Sequence, residues 1–182
     1  MNPVEELLER NRRFAQSHQR ATSLLPRLGT CVVTCPDPRV DPAAVLGLEL
    51  GDAAVVRAAG GRISPIVLQQ LVFLRAAAAS GAAGDDPDGG AFELILMGHT
   101  DCGIRHFMGP DSRDGLAAFL GCTVDELDGK AVGDPRAAVR VDIGVLAANP
   151  LIPASLSVTG LVYDVDTGRA ELVERRAPLR DR

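Results

Sequence analysis

The chain has 182 residues, 46% of them hydrophobic, with a formal net charge of −5 and a sequence pI near 5.2. That is enough apolar content for one well-buried core and too little length for two, so a single domain spanning residues 1–182 is expected. A net-acidic chain with scattered arginines offers nothing that attracts nucleic acid or an anionic membrane, and neither is expected as a partner.

Asn2-Pro3 opens the first predicted helix, because Asn is a good N-cap, Pro suits the first helical position, and Glu5 stands where a capping box needs it. Leu7, Leu8 and Phe14 add an apolar stripe, which predicts a helix over residues 3–18. The opening MNPVEELLERNRRF is charged and amphipathic and lacks the apolar centre of a signal peptide. No uninterrupted apolar stretch nears the ~20 residues needed to span a bilayer, so a cytoplasmic location is expected.

Next comes TCVVTC at 30–35, a short β-branched run that reads as a strand buried on both faces. Asp41-Pro42 signals another helix start, and AAVVRA at 53–58 a second strand. Ser64-Pro65 opens a helix over 65–80 rich in helix formers, followed by the Gly/Asp-rich SGAAGDDPDGG at 80–90, read as a solvated loop. FELILMG at 92–98 is a third buried strand. Asp134-Pro135 begins a helix over 135–148 that Asn149-Pro150 stops. SLSVTGLVYDVDTGRAELVE, at 155–174, is two strand-like runs around an Asp-Thr-Gly turn. Strand and helix alternate, which predicts an α/β fold: a mostly parallel central β-sheet flanked by helices, with an N-terminal helical arm.

Within this order Cys35 falls at the carboxyl end of the first strand, and His99 and Cys102 fall just past the third. Open α/β sheets place ligand sites beyond those strand ends, so three zinc-type ligands converge where a site belongs. Structural zinc usually has four Cys or His ligands, whereas catalytic zinc has three and an open position; two Cys and one His fit the open kind. The competing reading is two buried thiols and a turn histidine. Asp37 and Arg39, beside Cys35, weigh against it. Disulfides are not expected in a chain of this size in a reducing compartment, and Cys31 and Cys122 read as buried small residues.

The motifs CxDxR (Cys35, Asp37, Arg39) and HxxC (His99, Cys102) together resemble the β-class carbonic anhydrases, in particular their small prokaryotic branch. The likeness extends through DPAAVLGLELGDAAVVRAAGG and NPLIPASLSVTGLVYDVDTG and covers roughly residues 3–174. It implies that Cys35, His99 and Cys102 bind Zn2+, that Asp37 and Arg39 form a catalytic dyad, and that the chain forms at least a homodimer, or a homotetramer, with the N-terminal helix on a neighbouring subunit. The implied reaction is reversible hydration of carbon dioxide to bicarbonate and a proton by zinc-bound hydroxide. Relatives of the family hydrolyse carbonyl sulfide and carbon disulfide, so hydrolysis of those linear electrophiles at the same zinc is an alternative. A non-catalytic zinc-stabilised scaffold is a third, though it leaves Asp37 and Arg39 without a purpose. Zinc lowers the pKa of bound water from ~15.7 towards ~7. Two thiolates weaken it as a Lewis acid, which makes a neighbouring carboxylate valuable for orienting the water. A bidentate Arg39 would hold Asp37 ionised and away from the metal; without that pairing Asp37 could become the fourth ligand. The resemblance therefore implies an open state with Asp37 on Arg39 and a closed one with Asp37 on zinc. The small residues at 58–61, AAGG, allow close approach to the metal, with Ala58 where the family often has Asn and Pro38 where it has a small non-proline residue. His106 is a candidate proton relay, or simply an exposed histidine.

Overall fold

All four helix starts marked by a capping residue and proline form. Asn2 accepts from Glu5 N at 2.9 Å while Glu5 accepts from Asn2 N at 3.0 Å, a complete capping box at the head of α1 (Pro3–Ser17). Asp41 caps α2 (Pro42–Leu46) through the amides of Ala43 and Ala44. Ser64 Oγ lies 3.5 Å from Val67 N at the start of α3 (Pro65–Gly81). In this computed structural model, residues 2–19, 23, 25–81 and 92–179 are described. Most of the predicted solvated loop, residues 82–90, therefore lies outside them.

Among the described residues, five strands form one sheet: β1 (Thr30–Thr34), β2 (Ala53–Arg57), β3 (Glu93–His99), β4 (Ser157–Asp164) and β5 (Arg169–Pro178). Their spatial order is β2-β1-β3-β4-β5, with parallel pairing up to β4 and an antiparallel β4–β5 hairpin at the far edge. β1 is one residue shorter than its apolar run and β3 is displaced by one residue towards its carboxyl end, so Cys35 steps off the end of β1 while His99 is the last residue of β3.

Alternation sorts the central strands between two cores. Cys31 and Val33 of β1 join Leu94 and Leu96 of β3 under α3 and α5 (Pro135–Ala148), which Asp134 caps through Arg136 N and Ala137 N. Val32 and Met97 face the other way, onto Val40 and the partly buried apolar residues around α2. α5 can lie close to the sheet because two glycines leave room: a Cβ on Gly160 would meet Val139 Cγ1 at 2.6 Å, and one on Gly98 would meet Val139 Cγ2 at 3.3 Å. Asp142 of α5 reaches Arg62, accepting from Nε at 2.8 Å, NH2 at 3.0 Å and Ile63 N at 3.1 Å, with both side chains buried.

One helix was not anticipated. α4 (Arg113–Leu120) contains Gly115 and starts at Ser112 without a side-chain cap. It is held by burying Leu116, Ala117 and Leu120 with Ile104, Leu127 and Val132 in a satellite core. α1 is the reverse case, a well-capped helix with no buried residue. Its predicted stripe leaves Leu7, Leu8 and Phe14 exposed. Among the described residues, no helix is long and apolar enough to cross a membrane.

Candidate metal centre

β1 and β3 run side by side with Thr34 opposite Met97, so their carboxyl ends bring Cys35 and His99 together. Cys102 joins them after a tight turn in which Asp101 adopts φ +52°, a left-handed conformation that Asp tolerates better than most residues. The turn is pinned to β4, because Thr100 N donates to Tyr163 O at 2.9 Å and Val165 N donates to Thr100 Oγ1 at 3.0 Å. The ligand atoms of Cys35, His99 and Cys102 consequently lie within 4.8 Å of one another.

Three features make this a fitting cradle for Zn2+. The two sulfurs are 3.9 Å apart, close to the ~3.8 Å edge of a tetrahedron with Zn–S bonds of ~2.3 Å. His99 Nδ1 is 2.8 Å from Thr100 O, so Nδ1–H donates there and the lone pair resides on Nε2. That Nε2 is buried and has no hydrogen-bond partner among the described residues, an orphan that a metal ion would satisfy. The pair of thiols shares one charge: hydrogen bonding from Cys102 outweighs burial and pulls the Cys35 pKa down to about 4, while Cys35 and burial push the Cys102 thiol well above its ordinary value.

Beside this triad, Asp37 is held by Arg39. Arg39 Nε donates to Asp37 Oδ1 at 3.0 Å and NH2 donates to Oδ2 at 2.8 Å, a bidentate pair reinforced by Arg39 N to Oδ1 at 2.9 Å. Those bonds lower the Asp37 pKa to about 2, so the carboxylate is ionised at neutral pH. The structure thus has Asp37 on Arg39, the open arrangement.

Sequence reasoning missed several supports. Arg57 of β2 braces the Cys35–Arg39 loop from behind, donating to Cys35 O at 3.1 Å, Asp37 O at 2.8 Å and Asp41 Oδ2 at 3.1 Å. The signal was a lone charge ending an apolar strand. Asp101, inside the HxxC motif, accepts from Arg39 NH1 at 3.0 Å and from Arg105 NH2 at 2.7 Å. Gly61, at φ +66°, lets backbone pass so closely that a Cβ there would stand 3.1 Å from Met97 O and 3.3 Å from Cys35 N.

A small cavity of about 40 Å³ adjoins the triad, lined in part by Gly60, Gly61, Gly98, Ile104 and Val132. Of AAGG, the two glycines line it, whereas Ala58 packs against the main core. Cys31 is fully buried as expected, and burial pushes its thiol up to about 12. Cys122 is only half-buried, against the satellite core. His106 is exposed, in the 3-10 turn Gly103–Met108.

A two-Cys, one-His cluster at the strand ends of an open α/β sheet, with an ionised carboxylate alongside, has the make-up of a metal site with one position left open. No family model matches the chain. It is nevertheless similar to "Beta-carbonic anhydrase 1" of Mycobacterium tuberculosis, 26% identical over 169 residues covering 93% of this chain and 96% of that protein. The crystal structure of carbonic anhydrase from Streptococcus mutans superposes with a TM-score of 0.73 at 30% identity, covering 96% of this chain and 99% of that one. "Carbon disulfide hydrolase" of an Acidianus species is 26% identical over 161 residues, covering 76% of this chain and 74% of that protein. The chain belongs to the β-carbonic anhydrase family, and the Cys35–His99–Cys102 cluster suits the family's zinc.

Proposed function

We propose that the chain is a zinc-dependent lyase that interconverts carbon dioxide with bicarbonate and a proton, with Cys35, His99 and Cys102 as the metal ligands and Asp37 and Arg39 as the dyad. The observation that carries this reading is the orphaned His99 Nε2 facing two sulfurs with Asp37 held clear on Arg39. Zinc, when bound, supplies the Lewis acidity that makes hydroxide available from water near neutral pH. The chain's own contributions are positional. Asp37, ionised by its pairing, accepts a hydrogen bond from the nucleophilic water and orients it. Arg39 keeps that carboxylate from becoming a fourth ligand. Thr100 O fixes the imidazole tautomer. Gly60 and Gly61 leave space beside the triad for a molecule as small as carbon dioxide.

A second reading, hydrolysis of carbonyl sulfide or carbon disulfide at the same site, is favoured by the similarity to the Acidianus enzyme and by the apolar Ile104 and Val132 in the cavity wall. We place the protein in the cytoplasm as one domain built on a single sheet. It assembles as a homodimer or homotetramer, supported by the apolar stripe of α1, with Leu7 60% and Phe14 53% exposed even though the Phe14 ring lies against His18 of the same chain.

Stopped-flow hydration of carbon dioxide by zinc-loaded protein, run beside hydrogen sulfide release from carbonyl sulfide, separates the readings. Fast hydration lost in Asp37→Asn is the expected result. Slow hydration with brisk sulfide release would transfer the assignment to the sulfur substrate, and bound zinc with neither turnover would leave a scaffold.

A further inference from the structure

Arg39 does more than pair with Asp37. Its guanidinium lies between two carboxylates on different loops: Nε and NH2 face Asp37, while NH1 donates to Asp101 Oδ2 at 3.0 Å and NH2 to Asp101 O at 3.1 Å. Asp101 in turn takes Arg105 NH2 on its other oxygen at 2.7 Å. The result is a row of alternating charge, Asp37–Arg39–Asp101–Arg105, running outward from the metal cluster and joining the loop that carries Cys35 to the one that carries Cys102.

We propose that Asp101, backed by Arg105, is a positioning residue that sets how firmly Arg39 holds Asp37, and thereby how many molecules keep the fourth metal position open. This rests on the ligand and dyad roles argued above. Two carboxylates share one guanidinium, so the charge of Asp101 competes with Asp37 for Arg39. Arg105 moderates that competition by neutralising Asp101 from outside. The charge of each residue therefore acts on Asp37 in the opposite sense. Removing the charge of Asp101 gives Arg39 wholly to Asp37 and favours the open site. Removing the charge of Arg105 leaves Asp101 to draw Arg39 away and frees Asp37 for the metal. Arg39 stays anchored in either case, because the bond from NH2 to the Asp101 carbonyl is independent of the side chain.

Asp101→Asn and Arg105→Gln test this. Asn accepts the left-handed backbone at 101, and Arg105 is 51% exposed, so both variants keep the fold. The readout is azide binding to the full chain loaded with Co2+, followed by the visible absorption of the metal. A ligand for the fourth position has its dissociation constant raised by the reciprocal of the fraction of molecules whose position is open. Arg105→Gln is expected to raise the ratio of closed to open molecules about two- to fivefold, the range of a partly exposed charge, and to weaken azide by the matching fall in the open fraction. Asp101→Asn is expected to bind azide as tightly as the unaltered chain or more tightly. In an Asp37→Asn background the Arg105→Gln effect is expected to vanish. Weaker binding in Asp101→Asn, no change in Arg105→Gln, or an Arg105→Gln effect that survives without Asp37 would each overturn the proposal. General loosening of the loops would weaken both variants, and simple field effects would persist in the Asp37→Asn background. The comparison needs no turnover, so protein that binds azide yet hydrates no carbon dioxide would refute the proposed reaction without touching this inference.

Discussion

Replacing Gly61 by Ala should damage the metal centre without touching a ligand. Two costs add. At φ +66° an L-residue is strained, by about 1–2 kcal/mol. The new Cβ would also sit 3.1 Å from Met97 O and 3.3 Å from Thr34 C and Cys35 N, all backbone atoms at the ends of β1 and β3. These cannot rotate aside, so Cys35 must shift by a few tenths of an ångström, and its sulfur with it. Gly47 supplies the control: it has φ +68° and nothing within 4 Å of its Cβ. Gly47→Ala therefore carries the backbone cost alone. Urea unfolding of the metal-free chains should show Gly47→Ala down by about 1–2 kcal/mol and Gly61→Ala down further, by about 1–3 kcal/mol more for crowding. Competition with a chromophoric chelator should show weakened zinc binding only in Gly61→Ala. Equal destabilisation of the two, with zinc affinity intact in both, would refute the reasoning.

Two more outcomes follow from buried and paired charges. Asp142→Ala strands Arg62, whose NH1 already has no hydrogen-bond partner. It should cost about 3–5 kcal/mol in urea unfolding, with most of that restored when Arg62→Met is added; a double variant no more stable than the single would show that Arg62 is not the reason. Asp37 has a folded pKa of about 2, below its ordinary 3.8, so its pairing stabilises the fold above that ordinary value and the benefit is lost as pH falls towards 2. In metal-free protein, Asp37→Asn should therefore be less stable than the unaltered chain at pH 7, with the gap closing across that acid window. A gap independent of pH would contradict the pairing.

The fold was legible where local chemistry decides it. Asn2, Asp41, Ser64 and Asp134 each cap as their sequence context indicates, and the runs around Cys31 and Leu94 are strands because β-branched and apolar residues suit a sheet covered on both faces; the run around Val55, expected to be buried on both faces as well, is an edge strand that leaves Val55 43% exposed. The triad was legible because strand ends gather ligands. α4 was not, since a short glycine-containing helix owes its existence to tertiary burial of Leu116 and Leu120 rather than to any signal of its own. Asp101, Arg57, Arg62 and Asp142 escaped for a related reason. Their roles are defined by partners 16 to 80 positions away, and apart from Arg57, a lone charge ending an apolar strand, nothing local distinguishes them from ordinary surface charges.

The arrival of Cys35 and His99 on adjacent parallel strands has a consequence for the order of assembly. Cys35 and Cys102 are 67 positions apart, and β1 meets β3 only after a crossover containing α2, β2 and α3. Such long-range parallel pairing is a late and slow event. Before it, Cys35 stands apart from His99 and Cys102, and the three-donor cluster does not yet exist. Metal capture by the proposed ligands would thus be tied to completion of the sheet: an ion bound tightly there would certify that the fold has been finished, and would retard the chain's undoing more than hasten its making.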